Sequence, residues 1–155
     1  MKKMSEELKK LKPFMHTTYR KSHYLNKEIS FAICDRNSEL IPSEEFIGEK
    51  ARTSVPECGI IGERIGVFHT HPVSEVSDLS GADILTHIRY NIPFACVSSK
   101  EGLKCFEITP TERAKETVKK LIQEGVSEQS PKFREVAKQF QLNRHLLRKE
   151  IDMGE

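Results

Sequence analysis

Two histidines one residue apart, followed at a distance by a serine and an aspartate, are the side chains of this 155-residue chain best suited to chemistry. The segment reads Val67-Phe68-His69-Thr70-His71-Pro72, then seven residues, then Ser80-Gly81-Ala82-Asp83. The apolar lead into the histidines marks a strand, and side chains two apart in a strand share a face. His69 and His71 are therefore expected to project together, with Thr70 on the opposite face and Pro72 ending the strand. Ser80 is expected to open a helix that carries Asp83 in its first turn, and Ser-x-x-Asp is by itself a helix-capping arrangement. Two imidazoles and one carboxylate, with a fourth position left to water, form the ligand set of a catalytic zinc site with Zn–N distances of about 2.0–2.1 Å. Zn2+ is thus the expected cofactor, with His69, His71 and Asp83 as its ligands. Taken alone, a His-x-His pair on a strand is more often solvent-facing or in the core than a metal pair.

The elements that must position these residues follow from apolar runs and their punctuation. Ile29–Cys34 reads as a mostly buried strand stopped by Asp35-Arg36-Asn37-Ser38, and Ile65–His71 as a second strand. Phe94–Ser98 and Leu103–Ile108 flank Ser99-Lys100-Glu101-Gly102 and predict a hairpin. Ahead of them, Leu8, Leu11, Met15 and Tyr19 line a helical face that Pro13 should interrupt. Thr109-Pro110-Thr111-Glu112 predicts a helix start, Gly125 its stop, and Ser130-Pro131 another helix running nearly to the end. The order predicts an α/β domain over residues 1–108, a mixed sheet flanked by helices, and a helical C-terminal extension over 109–155.

At His69-x-His71-Pro72-x7-Ser80-x-x-Asp83 the chain resembles the JAMM (MPN+, or JAB) zinc metalloproteases. That family also carries a glutamate at the head of an upstream strand, and Asn26-Lys27-Glu28-Ile29-Ser30-Phe31-Ala32-Ile33 is similar to that segment, although Phe31 stands where glycine is common. Glu49 and Glu63 are alternatives that do not head an apolar strand. The resemblance implies a JAB/MPN, cytidine-deaminase-like sheet. It also implies hydrolysis of the peptide or isopeptide bond after the C-terminus of a ubiquitin-like modifier, with modifier conjugates as the substrate partner. Glu28 would be general base and then general acid, and the Ser80 hydroxyl would hydrogen-bond the oxyanion. Little room lies between Asp83 and Phe94 for a modifier-gripping insertion, which is similar to the compact prokaryotic members. The alternatives are a zinc amidohydrolase acting on another peptide or small amide, and a nucleic-acid-associated protein.

The last alternative rests on the tail. Residues 133–149 resemble a helix-turn-helix, set within 131–150, and residues 131–149 hold six basic side chains against one acidic, as DNA contact requires. One amphipathic helix packing on the body fits the same residues. Over the whole chain, 25 Lys and Arg oppose 23 Asp and Glu, which gives no global nucleic-acid signature. The ends are basic and the middle is acidic. His87, four residues after Asp83, is expected at the surface or half-buried, with a supporting role behind Asp83 as the alternative. Cys34, Cys58, Cys96 and Cys105 form no CxxC pair and read as buried thiols, with Cys96 facing Cys105 across the predicted hairpin. No apolar run approaches a membrane span, and MKKMSEELKKLK lacks the apolar stretch of a secretory signal, so a cytoplasmic chain without membrane contact is expected.

Overall fold

The apolar runs form strands, and the residues between them form helices that cover both faces of the resulting sheet. A computed structural model describes residues 4–48 and 55–154. Helices α1 (Met4–Lys9) and α2 (Lys12–Leu25) come first. Pro13 is accommodated in the first turn of α2, where its missing N–H costs nothing, and the break falls just before it. Strands β1 (Glu28–Arg36), β2 (Glu39–Pro42), β3 (Phe46–Gly48) and β4 (Glu63–Thr70) follow. Next are α3 (Gly81–Arg89), β5 (Phe94–Ser99), β6 (Gly102–Ile108), α4 (Glu112–Gln123), α5 (Pro131–Leu142), the single-turn α6 (Arg144–Leu147) and β7 (Arg148–Ile151).

The strands make one mixed sheet in the order β2-β1-β4-β5-β6-β7, with β3 also paired to β1. Strands β4 and β5 run parallel and are joined through α3, while the other pairings are antiparallel. The chain leaving β4 at His71 therefore crosses the carboxyl end of a parallel strand, which is where open α/β sheets hold ligands.

Alternation along the strands sends side chains into two cores. Phe31, Phe68, Cys96 and Cys105 pack with Leu8 and Met15 beneath α1 and α2, and the Phe31 and Phe68 rings lie 4.9 Å apart. Ala95, Val97 and Phe106 face the other way and pack with Ile84 of α3, Val118 of α4 and Phe140 of α5. Each fully buried phenylalanine contributes about 1.5–3 kcal/mol through the surface it removes from water.

Three expectations need correction. The hairpin pairs Ser98 with Leu103 and Cys96 with Cys105 as anticipated, but the cysteines are not thiols: Cys96 is bonded to Cys105 and Cys34 to Cys58. Both pairs are buried, so the core placement stands and the redox state changes. The helix expected from Thr109 starts later. The Thr111 hydroxyl, not that of Thr109, accepts the Ala114 N–H at 3.1 Å, because the Thr109 N–H is held by the Leu147 carbonyl at 2.9 Å. Of the two readings of the tail, neither the helix-turn-helix over 131–150 nor a helix running nearly to the end forms. After α5 the chain makes one turn, and Arg148–Ile151 then pairs with β6, so backbone needed for a second helix is used in the sheet.

Helix α5 lies directly on the first turn of α3. A Cβ on Gly81 would stand 1.7 Å from the Ala137 carbonyl oxygen, so only glycine permits the approach. Gly81→Ala should lower the unfolding free energy by about 1–3 kcal/mol through overpacking, measured by urea denaturation; unchanged stability would refute this contact. Cys34→Ser with Cys58→Ser opens a link across 24 positions of sequence, and should cost about 3 kcal/mol in the same assay.

Candidate active site

Antiparallel pairing of β1 with β4 places Ser30 opposite His69. One pleat further on, Glu28 heads β1 on the face shared by Ser30, His69 and His71. Thr70 points the opposite way. It is fully buried, accepts the Ile29 N–H at 2.9 Å, and its hydroxyl meets that of Ser22 in α2 at 2.6 Å. His71 lies just past β4, yet its N–H still donates to the Ser98 carbonyl at 2.8 Å, which keeps its side chain in register with His69.

The segment from Pro72 to Ser80 returns the chain above this face. Ser77 is buried, its hydroxyl 2.6 Å from that of Ser99, and the Ser99 hydroxyl donates to the Glu75 carbonyl at 3.1 Å. Ser80 then caps α3 in a full capping box. Its hydroxyl accepts the Asp83 N–H at 3.1 Å, and Asp83 Oδ2 accepts the Ser80 N–H at 2.9 Å. The result is a cleft of about 610 Å³, within the usual range for small-ligand sites, lined by Glu28, His69, His71, Ser80, Asp83 and His87 among others. All five residues proposed for chemistry from the sequence thus line one cleft.

The two imidazoles have defined roles. His71 Nδ1 lies 3.1 Å from the Val76 carbonyl, which can only accept, so Nδ1 carries the hydrogen. In the neutral ring Nε2 is then an acceptor, and His69 Nε2, 3.1 Å away, donates to it. His69 Nε2 is also 3.8 Å from Asp83 Oδ2. Burial lowers the pKa of His69 below the ordinary imidazole value, against the opposing pull of the Asp83 charge. Burial would raise the Asp83 carboxyl, but His69 and the Ser80 hydrogen bonds outweigh it and hold the group below the ordinary carboxylate range. At neutral pH an ionised Asp83 stands beside a neutral His69.

The expected Zn2+ is not supported by this arrangement. Among the described residues, no group of three or more His, Cys, Asp and Glu side chains is placed to hold a metal ion. The physical reason lies in the bonds just described. The His69 and His71 Nε2 atoms are engaged with each other, and Asp83 Oδ2 is committed to the Ser80 N–H of its own helix cap.

His87 departs from its expected surface position. It is buried, its Nδ1 lies 3.0 Å from the Ile92 carbonyl, and burial pushes its pKa down to about 4. Its i+4 spacing from Asp83 is the signal that places it behind the carboxylate, and the two interact electrostatically. Ser30 and Thr86 also line the cleft, and nothing in their spacing pointed to it. Of the alternative glutamates, Glu63 opposes Asp35 at the far end of the β1–β4 pair, away from the histidines, and Glu49 lies outside the described residues.

No family model matches the chain, and no curated protein matches it. Among the described residues, no helix is long and apolar enough to cross a membrane.

The low pKa of His87 links pH to stability. A histidine at about 4 in the folded chain and near 6.5 unfolded contributes stability that is fully present above pH 6.5 and is lost as pH falls toward 4. The amount is on the order of 3 kcal/mol. His87→Asn keeps an amide donor for the Ile92 carbonyl and cannot titrate. Its unfolding free energy, followed by urea denaturation between pH 7 and 4, should fall less steeply than that of wild type; parallel curves would refute the assignment.

Proposed function

We propose that this cleft hydrolyses the peptide or isopeptide bond that follows the C-terminal tail of a ubiquitin-like modifier, on a sheet of the JAB/MPN, cytidine-deaminase-like kind. The observation that carries the reading is the convergence of Glu28, His69, His71, Ser80 and Asp83 on one cleft at the carboxyl end of β4. The resemblance of the same residues to the JAMM pattern supplies the substrate class.

The side chains suit amide hydrolysis in distinct ways. Glu28 is exposed at the head of β1, where water reaches it, and it faces the histidine pair. It takes the proton of the attacking water and returns it to the departing amine. Ser80 is exposed at the cleft, and its oxygen accepts the Asp83 N–H while its own hydrogen stays free for the oxyanion. The ionised Asp83 and the carbonyl-anchored His71 fix the orientation of His69. The capping box, which any helix start could use, here holds the Ser80 hydroxyl beside the Asp83 carboxylate.

The test is cleavage of a linear fusion in which a small modifier ending in Gly-Gly precedes a fluorescent reporter. Wild-type protein should release the reporter. Glu28→Gln, which keeps the shape and removes the base, should slow release by about 10²–10⁴-fold, and Ser80→Ala by about 10²–10³-fold. Undiminished cleavage by Glu28→Gln would remove the base assignment, and no release by wild type, in fusion or isopeptide form, would contradict the reading.

A further inference from the structure

The segment that carries Ser80 and Asp83 is gripped from the far end of the chain. Asp78 lies two residues before the helix cap, and both its oxygens are used. Arg144 Nε donates to Oδ2 at 3.0 Å, and Arg148 Nη2 lies 3.1 Å from Oδ1 and 3.4 Å from Oδ2. Asp78 Oδ1 also accepts the Leu79 N–H at 2.7 Å, so the carboxylate that holds the arginines shapes the backbone leading into Ser80 as well. The arginines are themselves fixed. Arg148 begins β7 opposite Ile108, and its guanidinium stands 4.3 Å above the Phe106 ring. Arg144 donates to the Gln141 carbonyl at 3.1 Å.

We propose that Arg144 and Arg148, through Asp78, are positioning residues that hold Ser80 and Asp83 over the histidine face, so that residues 144–148 form part of the hydrolytic apparatus. The kinetic part of the proposal rests on the function proposed above. Two features make the grip specific to the cleft. Asp78 lies between the Ser77 anchor and the α3 cap, and the three charged side chains are only 18–38% exposed, so solvent weakens the attraction less than at an open surface. The contact of Gly81 with Ala137 seats α3 against α5. The arginines hold the segment just ahead of the α3 cap. Without them, the capping box can survive as local structure while its hydroxyl and carboxylate drift relative to His69, and a displacement of about 1 Å is enough to cost up to about 10²-fold in rate.

The experiment compares the full chain with Arg144→Gln/Arg148→Gln, with Asp78→Asn, with the triple variant, and with Arg144→Lys/Arg148→Lys. Amide hydrogen exchange is read residue by residue, alongside kcat and KM on the modifier fusion. The Ser80 and Asp83 amides should exchange about tenfold faster or more in the glutamine pair, while the Val67 and Val97 amides in the sheet keep their protection. The triple variant should be no looser than either parent, since all remove one interaction. For cleavage, kcat should fall while KM stays nearly constant, and the lysine pair should recover part of the loss. Unchanged exchange at Ser80 and Asp83 would overturn the proposal, as would an equal loss of protection across the sheet, or additive effects in the triple variant. If wild type cleaves nothing while the glutamine pair loosens those amides, the hydrolase reading fails and the grip stands.

Discussion

A chain of buried hydroxyls at the junction of α2, β1 and β4 sets the orientation on which the cleft depends. The Ile29 N–H donates to Thr70, the Thr70 hydroxyl meets that of Ser22, and Ser22 donates to the Lys27 carbonyl. Every polar group in that chain has a partner, which a buried hydroxyl requires. Thr70 is thereby locked to the α2 face. Because strand side chains alternate, His69 and His71 are locked to the other face. A one-residue slip of β4 against β1 would bury two imidazoles under α2 and expose Phe68, so the register carries a large penalty against error.

Above that face, everything depends on bringing one loop back to the right height. Three attachments do so, each with a different chemistry: the paired serines Ser77 and Ser99, the arginine grip on Asp78, and the close seating of Gly81 beneath Ala137. The last two come from residues beyond 130, which join the body through β7 and through α5 on α3. The disulfides act elsewhere, on the sheet itself. One ties β5 to β6 and the other ties β1 to the chain just ahead of β4. Both therefore stiffen strands that border the histidine pair, without taking part in the cleft.

Much of this was legible in the residues, and what was not has physical causes. Strands β1, β4, β5 and β6 are long apolar runs with clear stops, so local pattern and tertiary burial agree. The alternation of His69, Thr70 and His71 stated its own geometry, and Ser80-x-x-Asp83 announced the capping box. Zn2+ was the inference that the geometry does not bear out, because spacing shows which side chains meet but not which bonds they have already made. Asp83 serves its own helix, and the histidines serve each other and the Val76 carbonyl. Residues 143–151 misled for a related reason: their basic, amphipathic spacing suits a helix, but the free edge of β6 captured Arg148–Ile151 as a strand. The grip of Arg144 and Arg148 on Asp78 spans 66 and 70 positions of sequence, beyond the reach of any local pattern. The cysteines paired because folding brought them together, which composition cannot show.

The arrangement of the cleft stands on a neutral, largely buried His69 held between His71 and an ionised Asp83. Its most direct test is the titration of the His69 imidazole nitrogens by NMR in the full chain from pH 8 to 4. The structure predicts that His69 titrates below the ordinary imidazole value of 6.5 and that its neutral ring carries the hydrogen on Nε2. Protonation of His69 at that ordinary value, or a neutral ring with its hydrogen on Nδ1, would contradict it, because the ring would then be free in solvent or turned away from its partners.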